Sequence, residues 1–223
     1  MNRYSLSIPK KDFSDFFKIE PEVNYKARYN IAPTQECLVI DQNGSLVSDF
    51  FWGNTPEWAN GKTLSQKQIG IDIQKADSIL KRSKKCIIPA DGFYLWKLIG
   101  KNEKIPFRFT QKTYEPFALA AIQESYENNS ENMITIFRIL FDTNHPENEY
   151  YKSSFPLIIT LDKLEDWLNS DASSIQKFAE VSRSLQYESY SVTPQIENAQ
   201  LDNPQLIHHI PPANQKGNYT LFD

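Results

Sequence analysis

Apolar and polar positions along this chain follow two different periods. Between Lys10 and Ile19, Phe13, Phe16 and Phe17 recur at helical spacing ahead of Pro21, which predicts a short amphipathic helix near the start. The run Cys37-Leu38-Val39-Ile40, the turn-forming Asp41-Gln42-Asn43-Gly44 and the stretch from Leu46 to Trp52 predict a β-hairpin with an Asn-Gly turn. A second β region starts at Cys86-Ile87-Ile88-Pro89 and crosses Asp91-Gly92 into Phe93-Tyr94-Leu95-Trp96. Further strands are predicted at Phe107–Phe109, Phe117–Ile122 and Ile134–Phe141. Helical spacing returns at Leu161, Leu164, Trp167 and Leu168, with Thr160 placed as an N-cap, and again at Ile175, Phe178, Ala179 and Leu185. Strands gathered ahead of helices, rather than alternating with them, predict an α+β fold dominated by β structure. No Gly- or Pro-rich stretch of linker length and no internal repeat is present, so residues 1–223 are expected to form a single domain. The stretch from Pro194 to Asp223, rich in Asn, Gln and Pro, is expected to lie as an extended strap over the surface.

Composition narrows the function classes. A chain of 223 residues, 40% hydrophobic and 13% aromatic, can bury a substantial core, which argues against disorder. Its formal net charge of -4 gives no overall attraction to nucleic acid or to anionic membranes, so any DNA contact must come from a local patch. The strongest basic cluster is Lys81-Arg82-Ser83-Lys84-Lys85, a candidate for that patch or simply a solvated face. No run approaches the roughly 18 apolar residues of a membrane span, and no apolar stretch follows a basic start, so a soluble, cytoplasmic protein without a membrane partner is expected. The two cysteines, Cys37 and Cys86, each sit inside an apolar run. They form neither a disulfide framework nor a metal cluster and are expected to be buried and inert. His145, His208 and His209 lack the company a metal needs and are assigned to the surface; no metal or other cofactor is expected.

Several stretches carry a family likeness when taken in order: Arg3-Tyr4-Ser5, Arg28-Tyr29-Asn30-Ile31-Ala32-Pro33-Thr34-Gln35, Trp52-Gly53 with Pro56 and Trp58-Ala59, and Ile88-Pro89-Ala90-Asp91-Gly92-Phe93-Tyr94 with Trp96. Weaker echoes continue at Phe117-Ala118, Phe155-Pro156-Leu157-Ile158, Asp166-Trp167-Leu168 and Val192-Thr193-Pro194. Over nearly its whole length the chain resembles the SOS-response-associated peptidase family, whose members process abasic sites. The resemblance implies a single β-rich domain, mainly antiparallel strands in a distorted barrel-like sheet with flanking helices, enclosing a cleft for single-stranded DNA or a single-strand/duplex junction. In that family a cysteine at the second position, exposed by loss of the initiator methionine, captures the ring-opened aldehyde of an abasic site. Its amine forms an imine and its thiol closes a thiazolidine, with an asparagine, a glutamate and a histidine nearby.

This chain departs from the pattern at the positions that carry chemistry. Asn2 stands before the Arg-Tyr pair, and its bulk is expected to leave Met1 in place. Leu95 occupies the glutamate position, and in Lys152-Ser153-Ser154-Phe155-Pro156 the histidine and arginine positions fall on Lys152 and Ser154. Gly70 to Leu80 offers no match to the asparagine segment. No catalytic position is intact, so whether the chain is an enzyme stays open, and a pseudoenzyme is the favoured expectation. Weak binding of single-stranded or abasic DNA by a monomer, without a thiazolidine crosslink, is the leading reading. Arg3, Arg28 and Lys152 are candidate phosphate contacts, Asn30 and Thr34 candidate shapers of the cleft floor, and Trp52 a candidate base-stacking platform. Structural ion pairs, turn-building and a core tryptophan are the alternatives for these residues. Two other classes remain: a residual lyase acting through a Met1 imine, and a non-catalytic scaffold, for which a cleft lined by Glu and Asp would speak.

Overall fold

The structure, a computed structural model, describes residues 1–21, 24–53, 69–99, 103–127, 133–151, 153–212 and 215. In chain order its elements are β1 (Tyr4–Leu6), α1 (Lys10–Phe17), β2 (Arg28–Ile31), β3 (Glu36–Ile40), β4 (Leu46–Trp52), β5 (Gly70–Asp72), α2 (Asp77–Leu80), β6 (Lys84–Ala90), β7 (Gly92–Ile99), β8 (Glu103–Gln111), β9 (Phe117–Glu127), β10 (Met133–Asp142), α3 (Asn148–Tyr151), β11 (Phe155–Pro156), β12 (Ile158–Ile159), α4 (Leu164–Asn169), α5 (Ile175–Ser184) and β13 (Tyr187–Ser191). The fold is α+β, β-rich with flanking helices, as the resemblance implied.

Five strands close a barrel. The β3–β4 hairpin is antiparallel, β4 runs parallel to β10, β10 pairs with β9, β9 with β6, and β6 returns to β3. Runs without alternation made this possible. Cys86, Ile87 and Ile88 of β6 and Phe117 to Ile122 of β9 are all fully buried, one face toward the barrel interior and the other beneath packed elements. Helix α4 supplies part of that cover, and its Trp167 donates Nε1–H to the Cys86 carbonyl at 3.1 Å. The hairpin turn has the chemistry its sequence announced: Asp41 accepts from the Asn43 and Ser45 amides, and Gly44 adopts φ +78°.

A second sheet runs β13-β8-β7-β1-β2, antiparallel throughout. Helix α1 buries Phe13 and Phe17, four residues apart on one face with ring centroids 4.8 Å apart. It ends where Lys18 turns left-handed at φ 59° and its amide bonds the Ser14 carbonyl.

Three expectations need correction. Thr160 is extended but makes no capping hydrogen bond: Leu161–Lys163 form one 3-10 turn and α4 begins at Leu164. The tail is not simply an extended strap as far as it is described. Thr193 and Asn203 cap two 3-10 turns, Pro194–Glu197 and Pro204–Ile207, that bury Ile196 and Leu206 against Tyr94 and Val192. His145 is not at the surface: it is 4% exposed and its ring lies flat on Phe155 with centroids 3.7 Å apart. Among the described residues no helix is long and apolar enough to cross a membrane.

Candidate functional site

The start of the chain defines the site. Strand β1 lies between β7 and β2 and directs residues 1–3 along the β7 edge, where the Tyr94 amide donates to the Arg3 carbonyl at 3.1 Å. Asp91 holds β1 in place. Its carboxylate accepts from Ser5 Oγ at 2.6 Å, from the Ser7 amide at 2.7 Å, from the Ser7 hydroxyl and from Arg108 Nη2 at 3.1 Å. Asp91 and Arg108 are both at least nine-tenths buried, so each charge depends on the other and on these hydroxyls. Gly92 leaves the room this needs, because a Cβ there would meet the Arg108 guanidinium at 2.7 Å. The Asp-Gly motif is therefore an anchor for β1.

That anchor places the Met1 α-amine in a cleft of about 710 Å³. The Met1 side chain is buried in the main core, and the amine donates to the Ser154 carbonyl at 3.0 Å and to Ser153 Oγ at 3.3 Å. Burial pushes its pKa down from 8.0 to about 5, because the ammonium form loses water that no carboxylate replaces. A pKa lowered this far favours the uncharged amine at neutral pH, the form that can add to an electrophile. Asn2, Arg3 and Ser154 share the lining with Trp96 and Leu98 of β7, Lys104 of β8, Tyr151 of α3, and Glu197. Glu197 accepts from Trp96 Nε1 at 3.1 Å, and its carbonyl accepts from Arg3 Nη2 at 3.1 Å. Among the described residues, two cationic side chains and one carboxylate line the cleft, which is not the acidic lining that a scaffold reading calls for.

The predicted residues divide. Asn2 and Arg3 meet in this cleft. Lys152 lies outside the described residues, as do Pro56, Trp58 and Ala59, while Tyr151 and Ser153 on either side of Lys152 line the cleft. Leu95 is fully buried in the core and offers no group that titrates. Trp52 is fully buried too, stacked parallel to Phe137 and edge-on to Tyr4, with Nε1–H on the Ile69 carbonyl at 2.9 Å; it has no face free for a base. Arg28 is committed to Asp202, the Glu36 carbonyl and Gln35. Buried Asn30 donates to the Asn198 and Leu201 carbonyls, both at 2.9 Å, and so ties β2 to the tail. Thr34, at φ 76°, builds the turn between β2 and β3 and bonds the Trp52 carbonyl through its amide. None of these last four lines the Met1 cleft. Sequence reasoning passed over Lys104, Tyr151 and Glu197, which lie in unremarkable contexts, and used Trp96 only as part of a motif.

Both cysteines are buried and unpaired, and neither lines the cleft. Burial raises both thiols, Cys37 to about 11, which keeps them protonated and poorly nucleophilic.

A closed β-barrel with a second antiparallel sheet that carries residues 1–3 into a cleft defines the β-rich α+β class to which the chain belongs. The chain belongs to the SOS response associated peptidase (SRAP) family, matching it over residues 2–199. It is 29% identical over 218 residues to the abasic site processing protein YoqW of Bacillus subtilis, covering 92% of this chain and 97% of that one. It is 32% identical to YoaM of the same organism, also named an abasic site processing protein, over 75% of this chain and 78% of that one. A crystal structure of a protein from Bacteroides thetaiotaomicron shares the fold with a TM-score of 0.78 at 16% identity, covering 95% of this chain and 100% of that one.

Proposed function

We propose that this chain binds abasic single-stranded DNA in the Met1 cleft, as part of DNA-damage processing, without forming a thiazolidine. The observation that carries the reading is the cleft itself: a buried, uncharged α-amine beside Arg3 and Lys104, with Trp96 on the wall and no thiol. Arginine and lysine hold phosphates, and an indole holds an unpaired base without reading its identity. Thiazolidine closure needs a thiol on the β-carbon, the second carbon from the amine, and Met1 carries only a buried thioether further along its side chain. The free thiols fit a cytoplasmic protein, and a single-domain monomer is part of the reading. A gel shift with intact single-stranded, abasic single-stranded and junction DNA, run native and denaturing in parallel, tests it. A native shift that vanishes on denaturation is expected; no native shift with any of the three sinks it.

The depressed amine favours a second step, a reversible imine. The Met1 nitrogen adds to the C1′ aldehyde of the ring-opened site, and the resulting carbinolamine loses water to give the C=N bond. Borohydride would reduce that bond to a stable secondary amine. Trapping no greater than in an N-terminally acetylated control rejects the imine and leaves the binding reading standing.

A further inference from the structure

The basic run Lys81–Lys85 takes no part in the Met1 cleft, and the structure divides it sharply. Lys81 pairs with Asp77 at 2.7 Å. Lys85 is buried, its ammonium bonded to the Ser170 carbonyl and hydroxyl and 4.8 Å from the Trp167 ring centroid. Arg82 and Lys84 are exposed and have no ion pair or side-chain hydrogen bond among the described residues. Both Arg82 and Ser83 donate their amides to the Ile79 carbonyl, which fixes the turn that carries them.

These residues border a concavity of about 420 Å³ lined also by Gln123, Glu124, Ser125 and Tyr126 of β9, the strand that pairs with β6 at Lys84 and Gln123. The one carboxylate in that lining is neutralised, since Glu124 pairs with largely buried Arg138 at 2.5 Å. Two positive charges without ion pairs among the described residues therefore border a lining that includes the hydroxyls of Ser125 and Tyr126, the first sharing a hydrogen bond with Thr135 at 2.9 Å. Gln123 Oε1 is buried there with no partner, and turning its amide over would present two N–H donors instead. The concavity shares no residue with the Met1 cleft. It lies at the Lys84 end of β6, six strand steps or roughly 20 Å from Ala90, which adjoins the Asp91 anchor.

We propose that Arg82, Ser83 and Lys84 form a second anion site, separate from the Met1 cleft, that takes a phosphate group of a nucleic-acid strand. The phosphate chemistry stands on the concavity alone; assigning it to a strand rests on the proposed function. Arg82 supplies a planar fork of N–H donors, Lys84 a point charge, and Ser83 and Ser125 hydroxyl donors.

The test titrates isotope-labelled protein with inorganic phosphate against chloride at matched ionic strength, reading the amide signals of Ser83, Lys84, Gln123 and Ser125. Saturable shifts are expected in the wild type and in Lys81→Ala, and at least tenfold weaker binding in the double variant Arg82→Ala/Lys84→Ala. No shift beyond chloride, or shifts unchanged in the double variant, overturns the site. The strand assignment has its own readout: the double variant no longer neutralises that phosphate, so its log–log salt slope for single-stranded DNA should be shallower by about 0.7. Equal slopes overturn that assignment and make a small phosphorylated molecule the source. If the wild type binds no DNA, the reading of the Met1 cleft fails, and the phosphate titration still decides this site.

Discussion

Asp91, Trp52 and Trp96 show how far a motif residue's role depends on where its side chain ends. Asp91→Ala would strand the Arg108 charge and free β1, so a loss of about 3–5 kcal/mol is expected in chemical denaturation; a loss under 1 kcal/mol would contradict the anchor. Trp52→Ala empties the core beside Phe137 and Tyr4 and should cost about 3–5 kcal/mol of stability. Trp96→Ala, which loses packing against the Ile196–Leu206 cluster, should lower the midpoint less than Trp52→Ala does and weaken single-stranded DNA binding by about 1–3 kcal/mol, as loss of one stacked base does. Titration of a labelled strand alongside denaturation of both variants separates the two tryptophans. Glu197 is the carboxylate among the cleft residues, hydrogen-bonded to the Trp96 indole. Glu197→Gln should raise single-strand affinity about fivefold at low salt, roughly 1 kcal/mol of relieved repulsion, and lose that gain at high salt; unchanged affinity at low salt would place the strand elsewhere.

At the level of elements, legibility followed burial. The apolar runs of β6, β9 and β10 and the Asp-Gln-Asn-Gly hairpin turn were readable because full burial and left-handed backbone each restrict residue choice. Strand β13, Tyr-Glu-Ser-Tyr-Ser, was not readable: it lies at the edge of its sheet and borrows its conformation from a five-residue ladder with β8. The three-residue β1 is likewise made by its neighbours, above all by Asp91, and it carries the site. Thr160 had the residue type of a cap and lacked the contact, since a 3-10 turn intervenes. Family motifs located the scaffold well. They were less informative about the cleft, because Trp52, Asn30 and Arg28 hold strands and tail together, whereas Lys104, Tyr151 and Glu197 reach the cleft from contexts that no local pattern marks.

For the whole molecule, two buried basic groups couple the fold to pH. His145 is held near pKa 4 by burial, with Arg183 adding to the depression and Asp142 opposing it. The Met1 amine is held near 5. Each binds a proton more readily unfolded than folded, so stability should rise with pH, between about 4 and 6.5 through His145 and between about 5 and 8 through Met1. Thermal midpoints across pH 4 to 8 check the sign, and His145→Phe, which keeps a ring on Phe155, should flatten the lower window; a midpoint that falls as pH rises from 5 to 8 would contradict the buried amine. The same depression shapes reactivity. An amine of pKa 8.0 would be only about 1% uncharged at pH 6, whereas one near 5 stays mostly uncharged there. The most direct measurement is the intact mass of the protein incubated with an abasic single-stranded oligonucleotide at pH 6 and pH 8, with and without borohydride. The predicted result is no covalent adduct without reductant, and with it an adduct mapping to Met1 in similar yield at both pH values. A DNA adduct that forms without reductant and survives denaturation would contradict the central claim.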